Sequence, residues 1–256
     1  MAIQLNNICK KYGNQTIIDN ITLTLEKGKI ISFIGANGAG KSTLLNIMSR
    51  LLKADSGEIY LDGTALNNLK SEDIAKKLSI LKQNNYVGLK LTVAELVAFG
   101  RFPYSAGNLK MEDKKIIDEA IEYLDLQKLR NHYINELSGG QKQRAFIAMI
   151  LAQDTNYILL DEPLNNLDMK HSLQIMQVLH KLCIEKNKTI ILVIHDINFA
   201  SVYSDEIFAL KNGRLIFSGR PKKLMNSETL NQIFDFNIPV YDIDQHKLGL
   251  YFIANK

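Results

Sequence analysis

Three stretches of this chain place residue types at spacings that do chemistry on an anion. The first, Gly35-Ala36-Asn37-Gly38-Ala39-Gly40-Lys41-Ser42, runs on into Thr43 and fits the pattern G-x-x-x-x-G-K-[ST]. The glycines let backbone N–H groups curl around phosphate oxygens. Lys41 is placed to reach the terminal phosphates of a nucleotide, and the Ser42 hydroxyl to ligate Mg²⁺. The second stretch, "YILLDEP", is an apolar run ending in Asp161 and Glu162. At a strand end, Asp161 can hold the metal, through water, while Glu162 faces the reacting phosphate and orients or deprotonates an attacking water. The third, "ELSGGQKQR", has the marks of a helix start: Ser138 can cap, and Gln141 three residues on can close a capping box. Gly139 and Gly140 leave the N–H groups of that helix end bare, which makes a second phosphate-binding end.

These residues need elements to hold them. Ile3–Ile8 and Ile21–Leu25 alternate like strands, and Lys29–Ile34 is a continuous apolar strand leading into the glycine loop. A helical pattern follows through Leu44, Leu45, Ile47, Met48 and Leu51. Glu58–Leu61 and Leu78–Leu81 read as short strands. From Thr92 to Ala152 the text turns helical, with Glu95–Phe99, Lys114–Leu126 and Gln141–Ala152 as its clearest pieces. Strands return in "YILLD" and at Thr189–Ile194, which ends at His195. Between them Asp168–Lys186 has a helical period, with Leu173, Met176, Leu179, Leu182 and Cys183 on one face. Asn212-Gly213 between Glu206–Leu210 and Arg214–Phe217 signals a hairpin with a type I′ turn. A helical piece near Leu224–Phe234 and a strand-like tail, Leu248–Ile253, close the chain. Strands alternating with helices imply a parallel sheet covered on both faces.

Composition bounds the rest. The 256 residues are 46% hydrophobic and 23% charged, as in a globular protein able to bury a substantial core. A net charge of +4 does not argue for nucleic acid, and no nucleic-acid partner is expected. No apolar run approaches the roughly 20 residues that cross a bilayer. The N-terminus lacks the apolar core of a secretory signal, so a cytosolic location is expected. Cys9 and Cys183, far apart and without metal-ligand spacing, read as ordinary thiols.

With these motifs in place the chain resembles the ATP-binding subunits of ABC transporters from end to end. Gly35–Thr43 corresponds to the Walker A loop, Ile158–Asp161 followed by Glu162 to Walker B, and Leu137-Ser138-Gly139-Gly140-Gln141 to the signature. The resemblance implies a P-loop α/β core with a mostly parallel sheet, an N-terminal antiparallel β-subdomain and an inserted helical subdomain, residues 92–152, in one domain spanning 1–256. It implies that Tyr12 stacks on adenine. It makes Gln83 a sensor of the γ-phosphate, a contact to the metal beside Ser42 and Asp161, and a link to the membrane subunit. It places Asp168 in a loop that crosses a dimer interface and makes His195 a switch contacting the γ-phosphate. With Lys41, Glu162, Gln83 and His195 are the candidate catalytic groups. Gly35, Asn37, Gly38, Ala39, Gly40, Lys41, Ser42 and Thr43 would cradle ATP, and Ser138, Gly139, Gly140, Gln141 and Asp168 would complete the site from a second copy. His132, His171, His180 and His246 match nothing in the family and read as structural or exposed. One departure is the loop "PLNNLD", where many members carry serine or threonine in place of the asparagines.

"TVAELVAFGRFPYS" resembles the importer branch that takes up ferric siderophores, with haem and cobalamin relatives. Its "GRFPY" suits a firm docking surface with exposed aromatics. The partners implied are a second copy of the chain, polytopic permease subunits that hold it at the cytoplasmic face of the cell membrane, and indirectly a substrate-binding lipoprotein. A cassette for another substrate, and one outside transport altogether, stay open.

Overall fold

A computed structural model of the chain describes residues 3–83, 88–165 and 167–251. Asn166 of the "NNLD" loop and the end of the expected Leu248–Ile253 tail lie outside the described residues. The molecule is organised around a six-stranded sheet built from β3 (Ile30–Ile34), β6 (Leu78–Leu81), β7 (Tyr157–Asp161), β8 (Thr189–Val193), β9 (Glu206–Lys211) and β10 (Arg214–Gly219), in the order β10-β9-β3-β8-β7-β6. All neighbours are parallel except β9 and β10, which form the hairpin expected from Asn212-Gly213. Asn212 and Gly213 both take positive φ, 49° and 77°, as a type I′ turn demands.

The central strands read as unbroken apolar runs because both of their faces are covered. Ile30, Ile34, Ile158, Leu160, Ile190, Leu192, Ile207 and Ala209 belong to one core, whereas Ile31, Phe33, Tyr157, Leu159, Ile191, Val193, Phe208 and Leu210 belong to the other. Alternate side chains along each strand thus feed opposite layers. The second core is closed by an antiparallel sheet of β1 (Ile3–Tyr12), β2 (Gln15–Leu25), β4 (Ser56–Leu61) and β5 (Thr64–Ala65), ordered β2-β1-β4-β5, and by α1 (Lys41–Met48). A short helix, α2 (Ser71–Lys77), leads into β6.

The first core is closed by helices. Between Thr92 and Ala152 lie α3 (Val93–Ala98), α4 (Phe102–Ser105), α5 (Met111–Tyr123) and α6 (Gly139–Ala152), of which α3, α5 and α6 pack on one another. Each start is set by its sequence. Thr92 and Glu95 form a capping box on α3, and Ser138 and Gln141 form the expected one on α6, with Gln141 N–H to Ser138 Oγ at 3.4 Å and Ser138 N–H to Gln141 Oε1 at 3.0 Å. The "GRFPY" segment is fastened from below: the buried Arg101 pairs with Asp113 Oδ1 at 2.9 Å and donates to Ala152 O at 3.0 Å.

The long α7 (Met169–Lys186) buries Ser172, Ile175, Met176, Leu179, Leu182 and Cys183. Leu173, expected on that face, is 43% exposed. The buried stripe runs through Ser172 instead, one residue or about 100° around the helix. The chain ends in α8 (Ile197–Tyr203), α9 (Pro221–Leu224), α10 (Ser227–Phe234) and a small hairpin of β11 (Val240–Ile243) and β12 (His246–Gly249).

Candidate active site

Four neighbouring parallel strands, β3-β8-β7-β6, deliver the candidate residues to one edge of the sheet. Gly35 follows β3, His195 follows β8, Asp161 ends β7 with Glu162 just beyond it, and Gln83 follows β6. The carboxyl ends of parallel strands are where such sheets bind ligands.

The loop after β3 is pinned by contacts that only glycine permits. Gly35 has φ 140°, and a Cβ there would lie 2.1 Å from Leu210 O; Gly40 has φ 98°, and its Cβ would lie 2.8 Å from Ile17 O. The loop is therefore pressed against β9 on one side and β2 on the other. α1 starts at Lys41 directly after Gly40, which supplies no side-chain cap. The first N–H groups of α1 remain for an anion. Lys41 is 5% exposed, and its ammonium donates to Gly35 O at 2.8 Å and Ala36 O at 3.0 Å. Burial pulls its pKa below the ordinary lysine value, while the charges of Glu162 and Asp161 oppose that shift.

Asp161, 6% exposed, accepts a hydrogen bond from Ser42 Oγ at 2.8 Å. Burial raises its pKa; the Ser42 bond pulls the other way. Glu162 stands in left-handed backbone, φ 51°, and turns its carboxylate into a ring of donors. Gln83 Nε2 reaches Oε2 at 2.5 Å, His195 Nε2 lies 2.5 Å from Oε1, and Asn165 Nδ2 also bonds Oε2. The side chain of Glu162 is only 9% exposed, that of His195 38%.

A cavity of about 860 Å³ opens over this ring. It is lined by Tyr12, by Asn37, Gly38, Ala39, Gly40, Lys41, Ser42 and Thr43, and by Gln83, Glu162, Asn165 and His195. Tyr12 is 53% exposed, so a face of its ring is free to stack. Ser138, Gly139, Gly140, Gln141 and Asp168 do not line it. Ser138 caps α6 and Asp168 caps α7, accepting His171 N–H at 2.8 Å. Asn165 is the site residue that sequence reading missed. Its signal was the departure from serine or threonine three residues after Glu162, where the turn closes by Asn165 N–H to Glu162 O at 3.2 Å.

The donor set suits Mg²⁺, a hard cation that takes one or two protein oxygens and completes its shell with phosphate and water. Ser42 Oγ and the Asp161 carboxylate, in contact beside the phosphate loop, are oxygens that could hold such an ion, and Gln83 bonds the neighbouring Glu162 carboxylate.

Residues 18–165 match the ABC transporter family. The petrobactin import ATP-binding protein YclP of Bacillus subtilis (strain 168) is 55% identical over 98% of this chain and 99% of its own. The iron(3+)-hydroxamate import ATP-binding protein FhuC of the same organism is 42% identical over 90% of this chain and 86% of its own. Among solved structures, the dimeric MJ0796, a bacterial ABC transporter cassette, superposes with a TM-score of 0.77 at 36% identity, covering 86% of this chain and 98% of that one. With its phosphate loop, strand-end carboxylates and signature helix in the cassette arrangement, the chain belongs to the ABC transporter family, as an ATP-hydrolysing nucleotide-binding cassette.

Proposed function

We propose that this cassette powers a membrane importer for ferric siderophores and works as a head-to-tail pair of identical chains. The observation that carries the pairing is the separation of two phosphate-facing helix starts. Lys41 and Ser42 at the start of α1 line the cavity, whereas Ser138–Gln141 at the start of α6 do not. A two-fold axis brings the second start of one chain over the nucleotide of the other. ATP then bridges the chains, and its hydrolysis removes the anion both sides hold.

Within one cavity, Tyr12 stacks on adenine, the Gly35–Thr43 loop wraps the phosphates, and Lys41 turns from its loop carbonyls to the terminal phosphates. Ser42 and Asp161, with Gln83 alongside, would hold Mg²⁺, which when bound would supply charge neutralisation at those phosphates. Glu162 orients a water in line with the γ-phosphorus and accepts its proton as the new O–P bond forms and the bond to ADP breaks. For this, one carboxylate oxygen must be released from its present donors. His195, moving from Glu162 Oε1 to the γ-phosphate, is the group that releases it.

In this reading residues 1–256 are one ATPase domain with 92–152 as its helical subdomain. Among the described residues no helix is long and apolar enough to cross a membrane. The likeness to import ATP-binding proteins supports assigning the transport path to permease subunits, which hold the cassette at the cytoplasmic face, with a lipoprotein delivering substrate to them. Phe99, Phe102 and Tyr104 are 49%, 59% and 41% exposed around the anchored Arg101, and form the docking face for the permease. The substrate class is supported by the import proteins named above, above all the 55% identity to YclP. Deletion of the gene should abolish uptake of radiolabelled ferric siderophore, and the Glu162→Gln chain should fail to restore it. Undiminished siderophore uptake with lost uptake of haem or cobalamin would move the cassette to another substrate; no transport defect at all would remove it from import.

A further inference from the structure

His171 lies outside the nucleotide cavity, yet it touches two segments assigned to the partner's nucleotide. One is Asp168. Its Oδ1 accepts the His171 backbone N–H at 2.8 Å and lies 2.8 Å from His171 Nδ1, so one carboxylate oxygen holds both the helix start and the imidazole. The backbone bond from His171 is also the main reason that the Asp168 carboxyl is held below the usual carboxylate range. The other segment is the start of α6. A Cβ built on Gly140 would lie 2.6 Å from His171 Cδ2 and 2.7 Å from Cγ.

Gly140 is the second residue of a regular helix and has no positive φ that would call for glycine. What crowds out a side chain there within the chain is the His171 imidazole. An ordinary helix cap accounts for the backbone bond to Asp168. It does not account for a ring clasped by the capping carboxylate and packed close against a glycine of a different helix. The consequence is mechanical. Asp168 and the Ser138–Gln141 helix start are held in one register through a single side chain, and neither can shift without breaking a hydrogen bond or opening a packed contact.

We infer that His171 is a positioning residue: it fastens the Asp168 loop to the phosphate-facing start of α6, so that both segments close on the partner's nucleotide as one body, an inference that rests on the paired-chain reading above. The Nδ1–H group supplies the hydrogen bond and the ring carbons supply the contact. Loss of either loosens closure rather than nucleotide binding by the single chain.

The test uses the full chain carrying Glu162→Gln, with ATP-driven dimerisation followed by sedimentation velocity. His171→Ala should weaken the closed dimer on the order of tenfold, the size of coupling that contacting residues carry. In the otherwise unaltered chain it should lower kcat with little change in KM. His171→Asn, whose amide N–H replaces Nδ1–H at the same reach, should recover part of the dimer. Dimerisation of the alanine variant at the parent level overturns the proposal. So does a loss of single-chain ATP affinity and unfolding midpoint that asparagine does not repair, since that is a merely structural effect. Ser138→Arg, run in parallel, separates the two layers. If it abolishes the dimer while His171→Ala does not, only the role of His171 falls. If Ser138→Arg dimerises undiminished, the shared pocket falls and the role of His171 with it.

Discussion

Ser42 Oγ donates a 2.8 Å hydrogen bond to Asp161 Oδ1, joining the first turn of α1 to the end of β7 across 119 residues of chain. Burial lifts the pKa of this carboxyl above its ordinary 3.8. The native chain without nucleotide therefore keeps this proton to higher pH than the unfolded chain does. The sign follows: the contribution of Asp161 to stability is complete below 3.8 and declines as pH rises through the folded value. Asp161→Asn cannot ionise and should remove the decline. Urea unfolding across that window should show the difference between variant and parent moving in favour of the variant as pH rises. In the presence of Mg²⁺ and ATP the order should reverse, because the variant has lost an anionic ligand.

Glu162 has all its present partners on one small carboxylate: Gln83, Asn165 and His195. Glu162→Gln keeps the size of the group and removes its basicity. ATP binding should persist, turnover should fall by about 10²–10⁴-fold as for loss of a general base, and ATP should accumulate a stable dimer. Phosphate release and sedimentation measured on the same preparation check this. Turnover at the parent rate would mean that another group activates the water.

Asn165 donates to the same Oε2 that Gln83 reaches, so it shares the work of aiming Glu162. Asn165→Ala should lower kcat several-fold, within the roughly tenfold that one net hydrogen bond is worth, and leave KM for ATP nearly unchanged. Asn165→Ser, the residue type of many family members, should recover most of the loss. Steady-state ATPase assays of the three chains decide it; equal effects on kcat and KM would place Asn165 on the nucleotide instead.

Why Asn165 escapes a sequence reading, while Lys41 and Asp161 do not, is a matter of what each signal encodes. The phosphate loop is legible because glycine, lysine and serine at fixed spacing answer local needs: the close approaches at Gly35 and Gly40 and the uncapped start of α1. The central strands are legible because both faces are covered, which forces runs such as "IISFI". The capping box at Ser138 and the turn at Asn212-Gly213 are local as well. By contrast, the bond from Asn165 to Glu162 depends on the left-handed backbone at Glu162, and the ring of His171 meets Gly140 only where the starts of α7 and α6 come together in the fold. No spacing announces either. Leu173 misleads for a related reason: a helical period gives a stripe but not its edge, and the edge at Ser172 is set by neighbouring elements.

Lys41 is buried against loop carbonyls, with its pKa pulled below 10.5 by burial despite the nearby carboxylates. In the proposed site nucleotide binding uses the charged ammonium. Affinity should thus be full at neutral pH and be lost as pH rises through a value below 10.5, earlier than for a free lysine. Lys41→Ala should lose affinity at neutral pH by on the order of 10²-fold, the worth of a charged hydrogen-bonded group, and should flatten the alkaline decline. Titration with a fluorescent ATP analogue across alkaline pH reads both, and an alkaline decline that survives in the alanine variant would assign it to another group.

Arg101 pairs with Asp113 and also bonds Ala152 O at the end of α6, with both charged side chains nearly excluded from water, 7% and 8% exposed. Removing one partner leaves the other charge poorly compensated, so Arg101→Ala should cost about 3 kcal/mol by urea unfolding. The carboxyl of Asp113 is held below its ordinary 3.8, first by the Lys110 backbone N–H and then by Arg101. That stability is present above 3.8 and is lost as pH falls through the depressed value, so the gap between parent and variant should be full at neutral pH and shrink below 3.8. Tyr104 stacks on the guanidinium with its ring centre 4.0 Å from Cζ, so the same substitution loosens the exposed aromatics above it. The variant should bind ATP as a single chain like its parent, yet lose permease-stimulated ATPase in reconstituted vesicles. Full stimulation in the destabilised variant would show that the anchored segment is not the docking face.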